Sequence, residues 1–215
     1  MKNILRMLTL TAILAASTAC SNEKKDEDFK YLIDEFADLQ IIRYQIPGWD
    51  SLTLQQKEYV YHLGEAAKWG RDIIWDQNCK CNLEVRHAIE QIIRKEGKGD
   101  GSAQWDEFLV YAKRVFFSNG IHHHYAENKI LPGCTREYFA TLMDRAGIRN
   151  DDLLETIYNP DIFPEHIYTG EGDIVVNSAA NFYEGVTKDE VNAFYKAMAD
   201  PKDKCPISYG LNSKV

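Results

Sequence analysis

The feature that most constrains this chain is a succession of short amphipathic segments, each with its own start and stop signal. From Asn82, which is placed as an N-cap, Leu83, Ala88, Ile89, Ile92 and Ile93 recur at helical spacing, with Lys95 near the end. Gly97-Lys98-Gly99-Asp100-Gly101 interrupts, and Ser102 caps a helix whose wide apolar face is Trp105, Phe108, Leu109, Ala112, Val115 and Phe116. Asn119-Gly120 stops it, because both residue types tolerate the left-handed backbone that ends helices. Thr135 begins another helix through Ala146, ended by Gly147, and Asn150 or Asp151 caps a shorter one reaching Tyr158. Helices apolar on one side only must bury that side against one another, so these segments predict a packed helical layer.

The flanks are less uniform. Ile42, Tyr44 and Ile46 alternate with Arg43 and Gln45, which predicts a strand ending at Pro47-Gly48. One long helix is expected from about Thr53, striped by Leu54, Val60, Leu63, Ala67, Ile73 and Ile74. Gly64 and Gly70 fall inside it at about 1 kcal/mol each relative to Ala, so close packing is expected at both. Residues 159–181 carry Pro160, Pro164, Gly170 and Gly172 and read as loop, with a short strand at Asp173–Val176. Thr187-Lys188-Asp189-Glu190 is a capping box that launches a helix to about Ala199. Pro206 to Leu211 reads as the start of a strand, and an end at Val215 just inside it suggests a fragment. The fold class expected is α+β, mainly helical with a few strands.

The first residues read as an address. Lys2 and Arg6 precede an apolar run from Met7 to Ala16, then Ser17-Thr18-Ala19-Cys20, so residues 1–19 resemble a bacterial lipoprotein signal peptide with Cys20 as the lipidation site. Two or three acyl chains would anchor the chain durably to a membrane. Residues 20–28 are polar and charge-rich, a solvated tether, and residues 29–215 carry the fold. No later segment approaches the length of a spanning helix. The formal charge of −8 and the lack of clustered Lys and Arg argue against a nucleic-acid partner. Cys79, Cys81, Cys134 and Cys205 fall far short of a disulfide scaffold, and Cys79-Lys80-Cys81 lacks the two-residue spacer of redox and zinc motifs. Buried idle thiols are the main expectation, with one disulfide or a metal as the alternatives.

Chemistry-bearing patterns are sparse. His122-His123-His124 is the most unusual run; in an extended segment His122 and His124 would share a face while His123 points away. That face could hold a metal only with a third ligand, and none stands at a characteristic spacing. The expected role is therefore hydrogen bonding and packing in a groove wall. His62, His87 and His166 stand alone in sequence and are expected at the surface or packed. None of the six histidines opens the His-Glu-x-x-His pattern of a zinc peptidase, and no nucleophile elbow or phosphate loop is present. No complete active site is expected in this chain.

Five runs, FADLQIIRYQIPGW (36–49), GRDIIWDQN (70–78), VFFSNGIHHHYAENKILP (115–132), NFYEGVT (181–187) and DPKDKCPISYGLNS (200–213), together resemble the amino-terminal part of the dipeptidyl peptidase III family in its Bacteroides-type bacterial form. The resemblance implies a two-lobed zinc exopeptidase that releases dipeptides from the amino end of short peptides. Zinc belongs to the full-length enzyme, on a His-Glu-x-x-Gly-His helix in a lobe that this chain lacks, so none is expected here. Residues 29–215 would then be part of the lower, substrate-binding lobe, completed by the missing carboxyl-terminal lobe and inactive alone. By the same match Tyr125, followed by Glu127 and Lys129, stands in the peptide cleft with His122 and His124 beside it. The alternative is a stand-alone peptide-binding lipoprotein without catalysis. An outer-membrane location follows from the signal and the family habit.

Overall fold

A computed structural model describes residues 29–198 and 202. The chain divides into two units at Ile46/Pro47. The signal peptide, Cys20, the tether, Cys205 and the strand expected at Pro206–Leu211 lie outside the described residues.

In the first unit, β1 (Leu32–Phe36) and β2 (Leu39–Ile42) pair antiparallel, with a bulge between Leu32 and Asp34. The two-residue turn puts Ala37 at φ 49°, a conformation that Ala seldom adopts and that hid the hairpin from sequence. The Arg43 guanidinium donates to the Lys30 carbonyl at 2.7 Å and lies over the Phe29 ring. The strand expected to run to Ile46 stops at Ile42; Tyr44 and Ile46 are exposed coil, because no partner strand receives their backbone.

The second unit is helical. After a 3-10 turn at Trp49–Ser51 come α1 (Leu54–Trp69), α2 (Arg71–Asn78), α3 (Asn82–Glu96), α4 (Ala103–Ser118), α5 (Arg136–Arg145), α6 (Asp151–Tyr158), the single turn α7 (Ile174–Asn177) and α8 (Lys188–Met198). The expected caps stand at Ser102 on α4, Asn150 on α6 and Thr187 with Glu190 on α8, and the helix starts expected at Thr53 and Thr135 are side-chain caps too, Thr53 with Gln56 on α1 and Thr135 on α5. Asn119 ends α4 in the left-handed region at φ 52°.

Three expectations are corrected here. The single helix from Thr53 breaks at Gly70, which ends α1 and starts α2 without a side-chain cap. No residue of α1 is buried, and a Cβ built on Gly64 meets nothing within 4 Å, so the close packing expected there is missing among the described residues. Asp173–Val176 is not a strand. The Asp173 carboxylate accepts from the Val175 and Val176 N–H groups and winds the segment into α7 instead.

The core fills the space between α3, α4, α5 and α6. Val85, Ala88, Ile89 and Ile92 of α3 face Trp105, Phe108, Tyr111, Ala112 and Val115 of α4, with Phe139, Leu142 and Met143 of α5 and Leu153, Leu154 and Ile157 of α6 closing the cluster. Phe139 sits at its centre, edge-on to Phe108 at 5.3 Å and to Tyr158 at 6.0 Å. The expected faces are therefore the buried ones, and burial of this many large side chains is what holds the unit together. The coarse class stands: mainly helical with a small two-stranded sheet. Among the described residues, no helix is long and apolar enough to cross a membrane.

Candidate functional site

The loop between α4 and α5 carries the three histidines, and two devices fix its base. Asn82, expected as an N-cap, is instead the first residue of α3 and points inward. Its amide donates to the Trp75 carbonyl at 3.0 Å and accepts from the Ile121 N–H at 3.0 Å, with the side chain fully buried. Gly120 makes this possible: a Cβ there would lie 2.3 Å from the Asn82 amide nitrogen. On the other limb Lys129 is only 8% exposed, and its ammonium donates to the Thr156, Asn159 (2.6 Å) and Ile162 (2.8 Å) carbonyls at and beyond the end of α6. A cation suits a helix carboxyl end, where carbonyls lack intrahelical partners. Burial lowers the Lys129 pKa from its ordinary value.

Between these anchors the loop doubles back. Ile130 N–H donates to Ile121 O at 2.7 Å and His123 N–H to Asn128 O at 2.8 Å, while His122 bridges to Lys129. The chain turns at His124–Ala126, and Glu127 takes φ 63°. The alternation expected for His122 to His124 therefore fails, because an extended segment ends at His123. His123 does not point away from His124; the two rings stack at 4.5 Å. Its Nδ1 accepts from the N–H groups of Tyr125 and Ala126, which fixes the turn. Phe117 meets His124 edge-on at 4.7 Å, and Tyr125 packs 4.4 Å from His124 while remaining 84% exposed.

His122 lies 5% exposed behind this ledge, its Nε2 donating to the Phe163 carbonyl at 2.8 Å. Since a carbonyl only accepts, the neutral ring carries its proton on Nε2 and leaves Nδ1 as a lone pair. Burial pushes the His122 pKa down to about 4, with the neighbouring His166 and Lys129 pushing the same way. His166, expected to stand alone, is drawn in from the long loop: its N–H bonds Glu127 O and its Nδ1 bonds the Glu127 carboxylate, both at 2.8 Å. The His122 and His166 rings are 6.0 Å apart. His122 Nδ1 and His166 Nε2 are buried without a hydrogen-bond partner among the described residues.

His122, His123, His124, Glu127 and His166 line a cavity of about 190 Å³ together with Asn78, Asn82, Ser118 and Gly120. Neither of the two unpaired ring nitrogens reaches accessible surface, so each is an unmet hydrogen-bonding group within the wall. A larger hollow of about 440 Å³, between Lys80, Phe163 and residues 175–190, contains no imidazole or thiol in its lining. No group of three or more His, Cys, Asp or Glu among the described residues is arranged to hold a metal ion.

His122 and His124 thus share one cavity wall with His166, which sequence reasoning missed, while Tyr125 lies exposed against the His124 ring and is not part of that lining. Nothing in the spacing of residues 122 and 166 signals that meeting. Compared with known proteins, the sequence matches no family model. No curated protein matches it either.

Proposed function

We propose that this chain is the amino-terminal, lower-lobe portion of a lipid-anchored zinc dipeptidyl peptidase of the dipeptidyl peptidase III type. Held at the outer membrane through Cys20, it contributes peptide-binding surface and no catalytic group. The supporting observation is the exposed Tyr125 ring against His124, on a ledge where His123 stacks on His124 and Phe117 meets it edge-on, beside a cavity lined by His122, His123, His124 and His166. An aromatic face packs on a peptide side chain, and the polar side chains of the adjoining wall suit its backbone or terminal N–H groups.

A specific observation favours this over the stand-alone peptide-binding lipoprotein. Val60 and Leu63, one turn apart on α1, are 45% and 52% exposed, an apolar pair of the kind that a further lobe would cover. Catalysis needs a metal-activated water, and the residues present offer no ligand set for it.

Two measurements test the reading. The purified chain should release no dipeptide from a chromogenic dipeptidyl substrate, with or without added zinc. Zinc-dependent turnover abolished by a chelator overturns it. In calorimetry with short peptides, Tyr125→Ala should weaken binding about fivefold, the equivalent of roughly 1 kcal/mol for a lost aromatic contact. In a protein carrying the catalytic lobe the same change should raise KM rather than lower kcat.

A further inference from the structure

The corner between α2 and α3 holds a second chemical feature, independent of the peptide site. Asn82 N–H donates to Cys79 O at 2.9 Å, so residues 79–82 form a tight turn. The turn brings Cys79, in an extended conformation at φ −167°, and Cys81, at φ −86°, onto one side. Their sulfurs lie 3.3 Å apart. Cys79 is fully buried, whereas Cys81 is partly exposed. Cys134 does not compete, since its sulfur is buried against the Tyr158 hydroxyl at 3.4 Å.

We propose that Cys79 and Cys81 are a redox-active dithiol that closes to an intramolecular disulfide. The sulfurs need to approach by little more than 1 Å to reach the S–S length of about 2.05 Å. The direction of the thiol equilibria suits Cys79 as the nucleophile of the second, resolving step, while the first attack falls to Cys81 by its exposure. The hydrogen bond between the sulfurs holds Cys79 below the ordinary thiol range and Cys81 above it, and the Lys80 and Lys129 charges also favour a Cys79 thiolate.

The oxidant is a small external disulfide. Cys81, the outer sulfur, gives its proton to solvent and attacks one sulfur of that disulfide. The external S–S bond breaks, and the first small thiolate leaves and takes up a proton. The Cys79 thiolate then attacks the Cys81 sulfur of the mixed disulfide and expels the second small thiolate, which is protonated in turn. Two protein thiols lose two electrons and two protons, and one external disulfide becomes two thiols. The product would staple the last turn of α2 to the first of α3, next to Asn82 and beneath the histidine loop.

Equilibration of the chain with graded mixtures of reduced and oxidised glutathione tests this, followed by acid quench, alkylation, tryptic digestion and mass spectrometry. Cleavage after Lys80 separates the two cysteines, so the disulfide appears as peptides 72–80 and 81–86 joined and short of two hydrogens. The expected result is one cooperative step to the joined pair, unchanged in Cys134→Ser. Cys81→Ser should leave Cys79 alkylatable, with its fold verified by circular dichroism. Full alkylation of both cysteines at the most oxidising mixture overturns the proposal. So does a glutathione adduct on Cys81 that never resolves, or a disulfide joining either residue to Cys205.

Discussion

Acidification should unfold this protein through His122. The ring is 5% exposed and its pKa falls from 6.5 to about 4 on folding, chiefly because burial disfavours the imidazolium. His166 and Lys129 oppose its charging as well, while the Phe163 carbonyl and Glu127 favour it. Below pH 6.5 the unfolded chain takes up this proton and the native chain does not. Stability contributed by the neutral ring is therefore complete above pH 6.5 and is lost as the pH falls toward 4. A displacement of about 2.5 pH units at about 1.4 kcal/mol each puts the whole effect near 3 kcal/mol. Between pH 7 and pH 5, above most carboxylate titration, about 2 kcal/mol of it should be lost. Urea denaturation at several pH values measures this, with His122→Gln as comparison. Gln keeps an N–H for the Phe163 carbonyl but cannot ionise, so its stability should be lower at pH 7 and flatter with pH. Equal slopes in the two proteins, or stability that rises toward pH 5, would refute the argument.

Two other perturbations probe the anchors of the histidine loop. Lys129→Met removes the donor shared by the Thr156, Asn159 and Ile162 carbonyls and should cost about 3 kcal/mol in urea denaturation, partly offset by the relief of a buried charge. A loss below about 1 kcal/mol would mean that the ammonium is not what satisfies those carbonyls. Asn82→Leu keeps the volume but leaves the Ile121 N–H without its acceptor, for about 2 kcal/mol and faster amide exchange at Ile121; unchanged exchange there would dismiss Asn82 as the loop's fastener.

How far the sequence foretold this arrangement depended on the range of the forces involved. Helices α4, α5, α6 and α8 were legible because their caps and apolar spacing are local: Ser102, Thr135, Asn150 and Thr187 each act within three residues. The β1–β2 hairpin was missed because Ala37-Asp38 carries none of the Asn-Gly or Asp-Gly signal that marks such turns. Asn82 was misread for a related reason. Its type suggests a cap, but the long-range demand of the Ile121 N–H, 39 residues away, took its side chain inward. The site divided along the same line. The unusual run at 122–124 was visible, whereas its geometry came from a turn fixed by His123 and from His166, 44 positions beyond His122.

The same contacts explain why the exposed tip of the loop can be chemically specialised without endangering the fold. The loop is fastened at Ile121 by a buried amide from α3 and at Lys129 by the end of α6, and both fasteners lie within the second unit. His122 and Lys129 turn inward from the two limbs, so the burial that stabilises the loop is complete before the chain reaches His124. Tyr125 then adds little to stability and is free to be chosen for what it contacts in solution. The cavity wall is different. Each of His122 and His166 uses one ring nitrogen for structure and leaves the other buried and unpaired, which costs free energy. The core bears the same cost at Trp75 Nε1 and the Tyr111 hydroxyl, so what sets this end of the unit apart is the exposed aromatic ledge beside the hollow.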